Sequence, residues 1–122
     1  LAITAELLTN LRFNTERMRA ACSAGFMTAT DLADYLVVKG MPFRQAHGVV
    51  GRTVAFCLQE GKELTDLSLA ELRQFSELID EKVFAVLTVR GSVDSRLSTG
   101  GTGTPQVAAA VTAAEKALGL TT

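Results

Sequence analysis

Apolar and polar residues along this 122-residue chain recur with the period of an α-helix. From about residue 2 to residue 23 the apolar seam has alternating spacings of four and three and consists of Thr4, Leu8, Leu11, Thr15, Met18 and Cys22. That spacing is typical of a helix packed lengthwise against other helices. Gly25 favours a helix end, because glycine accepts the left-handed conformation found there. The pattern therefore predicts one long first helix.

Two further helices are predicted on either side of a short corner. Thr28 and Asp31 have the spacing of a capping box, which indicates the start of a helix. Gly40 would end that helix, and Pro42 would begin the next in its first turn, where its missing N–H does no harm. Before Gly61, an inner apolar stripe is predicted from Phe43, Ala46, Val50, Val54, Cys57 and Leu58.

Shorter helices are predicted after Gly61. Ser68 and Glu71 form a complete capping box, so a short helix begins there. Asp80 can cap another, and Gly91 begins a brief turn or helix. No stretch alternates apolar and polar residues between turns, so we expect little or no sheet.

The last part of the chain predicts a loop and a final helix. Residues 97–103 are rich in Gly, Ser and Thr, and Thr104–Pro105 would open a helix that ends at Gly119. One side of that helix carries Val107, Val111, Ala114 and Leu118. The predicted fold is all-α: a long helix and then a compact set of shorter ones.

The charge balance and the two cysteines argue against several classes of function. The 12 basic and 13 acidic residues nearly balance, which gives no broad attraction to nucleic acid or to an anionic membrane. No apolar run approaches the roughly 18 residues of a membrane span, and no signal-peptide pattern is present. Cys22 and Cys57 lie on predicted apolar faces, without a C-x-x-C or Cys/His cluster. We expect reduced, buried thiols in a cytosolic protein.

Candidate acid–base residues have plainer interpretations. His47, the single histidine, has no carboxylate three or four positions away to orient it, so a packing role is favoured. Asp31 and Asp34 share the first turn of a predicted helix, where negative charge is favourable. Capping is therefore a better interpretation of that pair than acid–base chemistry or metal binding.

Two possible binding motifs also have plainer interpretations. The run from Gly100 to Pro105 precedes a helix and could hold a phosphate, but it lacks the lysine of a P-loop and follows no strand. A close-packed turn is favoured. A DNA-reading helix-turn-helix is conceivable because of Arg44, Gln45, His47 and Arg52, yet no basic arm flanks it and acidic residues offset its charge.

One long stretch resembles a known family. The ungapped run A-T-D-L-A-D-Y-L-V-V-K-G-M-P-F-R-Q-A-H, from Ala29 to His47, is similar to the C-terminal segment of argininosuccinate lyases. Further matches follow in family order at Val50-Gly51, Leu67-Ser68-Leu69, Glu71-Leu72, Ser92-Val93 and Gly100-Gly101-Thr102. Asn14, Glu16 and Met18 resemble the end of a central-bundle helix in the same family.

The resemblance implies a cytosolic enzyme of arginine biosynthesis or the urea cycle that eliminates fumarate from argininosuccinate and leaves arginine. It implies a homotetramer around a helical bundle, with each active site built from three subunits and no cofactor or metal. Residues 1–25 would end a bundle helix and contact the rest of the subunit and its tetramer partners. Residues 26–122 would form the C-terminal domain. The chain opens on Leu1 in helical pattern, so we expect a cut through a helix.

The resemblance places the catalytic residues elsewhere, because the family's serine-bearing loop has no counterpart here. No catalytic residue is therefore assigned, and the chain alone is expected to be inactive. The expected roles are structural: an inter-helix corner at Gly40, Pro42 and Phe43, a polar tie between Asp31 and Arg44, and support from His47, Gly100 and Gly101. Phe43 belongs to the apolar stripe, and with a buried ring Phe43→Ala in the intact enzyme is expected to cost roughly 3–5 kcal/mol. Competing interpretations are a lens-crystallin relative of the family and a DNA-binding module.

Overall fold

The computed structural model describes residues 2–22 and 25–120, and within these ranges the chain is helical without a strand. The elements in chain order are α1 (Ala2–Asn10), α2 (Thr15–Cys22), α3 (Ala29–Val38), α4 (Phe43–Glu60), a 3₁₀ turn (Leu64–Asp66), α5 (Leu69–Arg73), α6 (Val83–Val86), α7 (Val89–Asp94) and α8 (Thr104–Ala117). The predicted all-α class is confirmed. None of these helices is both long and apolar enough to cross a membrane.

The centre of the domain is the hairpin of α3 and α4. Gly40 ends α3 at φ 96°, a left-handed conformation that glycine adopts without steric cost. The Gly40 N–H donates to the Val37 carbonyl at 2.9 Å, and the Met41 N–H donates to the Leu36 carbonyl at 3.0 Å. This pair of bonds is a Schellman motif, which satisfies the last carbonyls of α3 and turns the chain into α4.

The hairpin core is closed by the segment that follows α4. Gly61 ends α4 at φ 65°, as predicted, and the chain then returns across the hairpin. The fully buried apolar side chains come from α3, α4 and this returning segment: Leu32, Leu36, Ala46, Cys57, Leu64, Leu67, Leu72, Ile79, Val83 and Leu87. Burial of this apolar surface is the main stabilising term of the domain.

The buried face of α4 differs from the predicted stripe. Phe43 is 61% exposed and Leu58 is 67% exposed, so both predictions of burial are wrong. The residues that face the core are Ala46, Val49, Val50, Thr53 and Cys57. Thr53 is accommodated there because its hydroxyl donates to the Val49 carbonyl at 3.0 Å. Pro42 lies one position before the helix rather than inside it.

The predicted single first helix is broken in two. Between α1 and α2, Asn14 accepts the Arg17 N–H on its side-chain Oδ1 at 3.0 Å and the Met18 N–H on its carbonyl at 3.0 Å. This is how an N-cap residue begins a new helix. No residue of α1 or α2 is fully buried, and Leu8, Leu11 and Met18 of the predicted seam are exposed to solvent.

The final helix α8 also lacks buried residues. It ends near Gly119, at φ 68°, where the Leu120 N–H donates to the Glu115 carbonyl at 2.9 Å. The apolar side of α8 that the sequence predicted is exposed in this chain, with Val107, Val111 and Leu118 in solvent. The compact core thus lies between α3 and α6.

Candidate functional site

One arginine joins the two acidic residues of α3 to the segment after α7. Arg96 donates from Nη2 to Asp31 Oδ1 at 2.7 Å and from Nη1 to Asp34 Oδ2 at 3.2 Å. Asp31 is 4% exposed, so without Arg96 a carboxylate would be buried with no counter-charge. The Asp34 side chain is 48% exposed, and such a pair contributes little.

Two predictions for Asp31 are wrong. Thr28 occupies the N-cap position of α3, as predicted, but its side chain makes no capping hydrogen bond. The predicted tie between Asp31 and Arg44 is not made in the described ranges, since Asp31 contacts Arg96 and Arg44 lies exposed on α4. Sequence reasoning missed Arg96 because it lies 65 positions from Asp31.

A second polar cluster ties α3 to the turn before α6. The Tyr35 hydroxyl donates to Asp80 Oδ1 at 2.9 Å and accepts the Asp80 N–H at 3.1 Å, while Lys39 forms an ion pair with Asp80 Oδ2. The hydrogen bond from Lys39, with those from the Lys82 N–H and the Tyr35 hydroxyl, lowers the pKa of Asp80 to about 2. Asp80 in turn raises the pKa of Lys39. Lys82, not Asp80, is the N-cap of α6.

The capping box at the start of α5 is confirmed. The Glu71 N–H donates to Ser68 Oγ at 3.3 Å, and the Ser68 N–H donates to Glu71 Oε2 at 2.8 Å. Lys62 donates to the other carboxylate oxygen, Oε1, at 2.7 Å. The bonds from Lys62 and Ser68 lower the pKa of Glu71 to about 2. This carboxylate is held ionised by its partners and is unsuited to take up a proton near neutral pH.

The loop before α8 is held by Asp94. Asp94 Oδ1 accepts the Thr104 hydroxyl at 2.8 Å, and Asp94 Oδ2 accepts from Arg90 Nε at 2.5 Å. The Thr104 hydroxyl and then Arg90 lower the pKa of Asp94. The predicted cap of α8 is shifted, because Gly103 occupies the N-cap position without a side-chain bond and Thr104 is the first helical residue.

The backbone of the glycines in this loop lies close to the Arg96 carbonyl oxygen. A Cβ on Gly101 would lie 2.2 Å from that oxygen, and the Gly103 N–H donates to it at 3.1 Å. Gly100 adopts φ 79°. The loop backbone therefore approaches Arg96 as closely as only glycine permits, and this fixes the residue whose side chain reaches Asp31.

The corner residues singled out in the sequence lie at the surface. The Pro42 carbonyl accepts the N–H groups of Gln45 and Ala46 and so starts the hydrogen bonding of α4. The rings of Phe43 and His47 lie 6.3 Å apart on the exposed side of α4. No carboxylate contacts His47 in the described ranges, so it lacks the partner that would orient a catalytic base.

The two thiols differ in burial. Cys57 is fully buried, which raises the pKa of its thiol and makes it unreactive. Cys22 is only half-buried, so its predicted burial is incomplete. It borders a cavity of about 250 Å³ between α2 and the core, where Glu63 accepts the N–H groups of Gly25 and Phe26 at 3.2 and 3.4 Å.

These polar groups tie structural elements together. The carboxylates of Asp31, Glu71, Asp80 and Asp94 are each paired with a cation of the same domain. In the described part of the chain, no three His, Cys, Asp or Glu residues converge to hold a metal ion. The geometry defines a class: an all-helical domain whose charged residues hold its own loops in place.

Comparison with known proteins identifies that domain. The family described as argininosuccinate lyase C-terminal matches residues 26–94. An argininosuccinate lyase of Desulfotalea psychrophila is 57% identical over 98% of this chain, and one of Geobacter metallireducens is 53% identical over 91%. Another, of Nitrosomonas europaea, is 51% identical over 97%. The chain belongs to the argininosuccinate lyase C-terminal family.

The chain spans about a quarter of the length of the curated relatives it matches: 26%, 24% and 26% of these three. The predicted family is therefore confirmed, as is the prediction that the chain corresponds to its C-terminal part. The matches support neither the lens-crystallin interpretation nor the DNA-binding one.

Proposed function

We propose that this chain serves as the C-terminal domain of an enzyme that cleaves argininosuccinate to arginine and fumarate. The observation that carries the proposal is the 57% identity to an argininosuccinate lyase over nearly the whole chain. At that level of similarity, we expect this chain to substitute for the matching part of the relative and the relative to remain active. Such an enzyme acts in arginine biosynthesis, and we place it in the cytoplasm.

The reaction is an elimination: a base removes a proton next to a carboxylate, the carbon–nitrogen bond breaks, and arginine leaves as fumarate forms. This chain would contribute none of the reacting groups. Its clustered carboxylates carry cationic partners, and its histidine has no orienting carboxylate in the described ranges. The base and the substrate-binding groups would come from the part of the enzyme that this chain does not cover, without a metal or organic cofactor.

The role of the domain would be positional. Active-site groups shared among subunits must be held to within about 1 Å, since a displacement of that size can cost on the order of a hundredfold in rate. The contacts of Asp31 with Arg96 and of Tyr35 with Asp80 would help to hold the domain in one shape. Residues 1–25 would join it to a helical bundle in a homotetramer.

A chimera tests the proposed function. The matching 26% of the Desulfotalea psychrophila enzyme is replaced by this chain, and fumarate release from argininosuccinate is followed spectroscopically. We expect activity within about tenfold of the unaltered relative and none from the isolated chain. A relative truncated before the replaced part is the control and should be inactive. A soluble, assembled chimera without activity contradicts the proposal.

The exposed seam of α1 and α2 gives a second test of the positional role. Leu8, Leu11 and Met18 are exposed in this chain, and apolar stripes of this kind seek partners. We expect the isolated chain to self-associate in light scattering, and the double substitution Leu8→Ser with Leu11→Ser to make it monomeric. A wild-type chain that stays monomeric at millimolar concentration, with α1 fully protected in hydrogen exchange, counts against this role.

A further inference from the structure

The linker between α2 and α3 contains two successive residues in the left-handed region. Gly25 adopts φ 80° and Phe26 adopts φ 59°. Glycine reaches that region freely, but a residue with a side chain does so at an energetic cost. Within the described ranges, Phe26 is the one non-glycine residue with a positive φ. Such a conformation persists only where the surrounding contacts fix it.

Glu63 contacts both residues of this turn. Its Oε1 accepts the Gly25 N–H at 3.2 Å, and its Oε2 accepts the Phe26 N–H at 3.4 Å. One carboxylate thus binds two successive backbone donors, one with each oxygen, and hydrogen bonds to a carboxylate are stronger than those between neutral groups. We call this pair of bonds the Glu63–linker contact. The Phe26 ring adds packing, since it lies partly buried against the core.

Glu63 is itself held in place by the domain. Its N–H donates to Asp66 Oδ2 at 2.9 Å, and the next residue, Leu64, is only 2% exposed. The carboxylate therefore reaches the linker from a fixed position on the domain, although Gly25 and Phe26 lie 38 and 37 positions earlier in the chain.

Side-chain packing does little to hold α2 against the domain. No residue of α2 is fully buried. A cavity of about 250 Å³ lies where Cys22, at the end of α2, faces Leu64 and Leu87. Close packing normally fixes the angle between a helix and its neighbours. Because that packing is missing here, the direction of α2 depends on the backbone of the linker.

We propose that Glu63 is a positioning residue, which sets the direction of α2 relative to the domain through its two hydrogen bonds to the linker. The inference rests on the proposed function, in which residues 1–25 join this domain to a helical bundle. A change in the direction of α2 would displace the end of that bundle, and a displacement of about 1 Å at a shared active site can cost on the order of a hundredfold in rate. Glu63 acts through the linker and touches no reacting group.

Hydrogen exchange of the full 122-residue chain tests the Glu63–linker contact directly. NMR follows the Gly25 and Phe26 amides in wild type and in two variants. We expect both amides to exchange at least about tenfold faster in Glu63→Ala, because their acceptor is gone, and to keep part of their protection in Glu63→Gln, whose amide oxygen still accepts. Glu77→Ala removes an exposed carboxylate without an ion pair in the described ranges, and this matched control should leave both amides unchanged.

Distances between spin labels report the direction of α2. Labels are attached at Arg17→Cys in α2 and Ala70→Cys in α5, two exposed positions, in a Cys22→Ser background. Cys57 is fully buried and stays unlabelled, and dilution into unlabelled chain suppresses distances between copies. We expect one narrow distance distribution when Glu63 is present, a broadened or displaced one in Glu63→Ala, and a return toward the wild-type distribution in Glu63→Gln.

The chimera with the Desulfotalea psychrophila enzyme shows whether this direction matters for the reaction. Glu63→Ala should lower kcat by at least about fivefold, with little change in KM and with a melting temperature within about 3 °C of the unsubstituted chimera. Glu63→Gln should recover much of kcat. If Glu63→Ala lowers stability and activity together without rescue by Gln, the role is merely structural and the proposal is overturned. Unchanged amide exchange, unchanged label distances or unchanged kcat in Glu63→Ala overturns it as well.

The two proposals fail separately. If the unsubstituted chimera is assembled but inactive, the proposed function fails and the effect on the reaction fails with it, whereas amide exchange and label distances still decide whether Glu63 sets the direction of α2. If the chimera is active and Glu63→Ala leaves its kcat unchanged, the proposed function stands and the positioning role is wrong.

Discussion

The guanidinium of Arg96 and the carboxylate of Asp31 meet at 2.7 Å, although 65 residues separate them along the chain. This contact closes the domain, because it joins the first turn of α3 to the loop that leads into α8. Asp31 is almost completely buried, so its charge depends on one partner for compensation.

Removal of that partner should destabilise the domain. Arg96→Ala leaves the Asp31 carboxylate buried without its charged donor, and we expect a loss of roughly 1.5–3 kcal/mol in the free energy of unfolding. Asp34→Ala removes the weaker, exposed contact of the same arginine and should cost less than about 1 kcal/mol. Urea denaturation of both variants makes the comparison. If the two variants lost equal free energy of unfolding, burial of Asp31 would not determine how strongly its ion pair with Arg96 stabilises the domain.

The Tyr35–Lys39–Asp80 cluster should give the domain an acid-sensitive component. Folding lowers the pKa of Asp80 from 3.8 to about 2, so its stabilisation is fully present above about pH 4 and is lost as the pH falls toward 2. Asp80→Asn should therefore be less stable than wild type near pH 7, with a smaller decline between pH 4 and pH 2.

The measurement for Asp80 is the urea midpoint as a function of pH. Glu77→Gln is the control, because Glu77 is exposed and makes no ion pair in the described ranges, and its acid slope should match that of wild type. An Asp80→Asn variant with the full wild-type decline below pH 4 would show that other carboxylates dominate the acid response.

Glycine is required in the loop before α8. In Gly101→Ala the new methyl carbon would lie 2.2 Å from the Arg96 carbonyl oxygen, so the loop must shift, and we expect a loss of about 1–3 kcal/mol. Gly51→Ala provides the matched control, since the same added carbon meets nothing within 4 Å there. Thermal melts of the two variants should move in opposite directions.

The exposure of Phe43 reverses an expectation drawn from the sequence. With its ring 61% exposed, Phe43→Ala should cost the isolated chain less than about 1 kcal/mol, in place of the 3–5 kcal/mol of a buried aromatic. Leu36→Ala, in the core of the hairpin, should cost about 2–5 kcal/mol. If denaturant titration showed similar losses of unfolding free energy for the two variants, the Phe43 side chain would have to be buried in the protein in solution.

Local signals in the sequence predicted the elements that local chemistry determines. Gly40, Gly61 and the Ser68–Glu71 box act within a few residues of themselves, and the structure places helix ends where they occur. The same reasoning failed at Thr28, whose spacing to Asp31 imitates a capping box. There the Asp31 carboxylate accepts from Arg96, a partner 65 residues away that no local rule reveals.

The sequence does contain a signal for the break between α1 and α2, but the continuous apolar periodicity favours a single helix. The heptad-like seam continues through residues 11–14 without a change of phase, so the apolar pattern predicts one helix. Asn14, however, is a preferred N-cap residue, and its side chain accepts the Arg17 N–H as a cap does. Similarly, the apolar character of Phe43 and Leu58 predicted burial, but apolar residues at a helix surface can also serve a contact with another helix.

The position of Arg96 also determines how small this domain can be made. The family match ends at residue 94, two residues before the arginine that neutralises Asp31. A polypeptide trimmed to that border would retain a carboxylate buried at the base of α3 and lose its counter-ion, together with the glycines that hold Arg96 in place. We therefore expect a stably folded domain to need residues beyond the end of the family match, at least as far as Gly103.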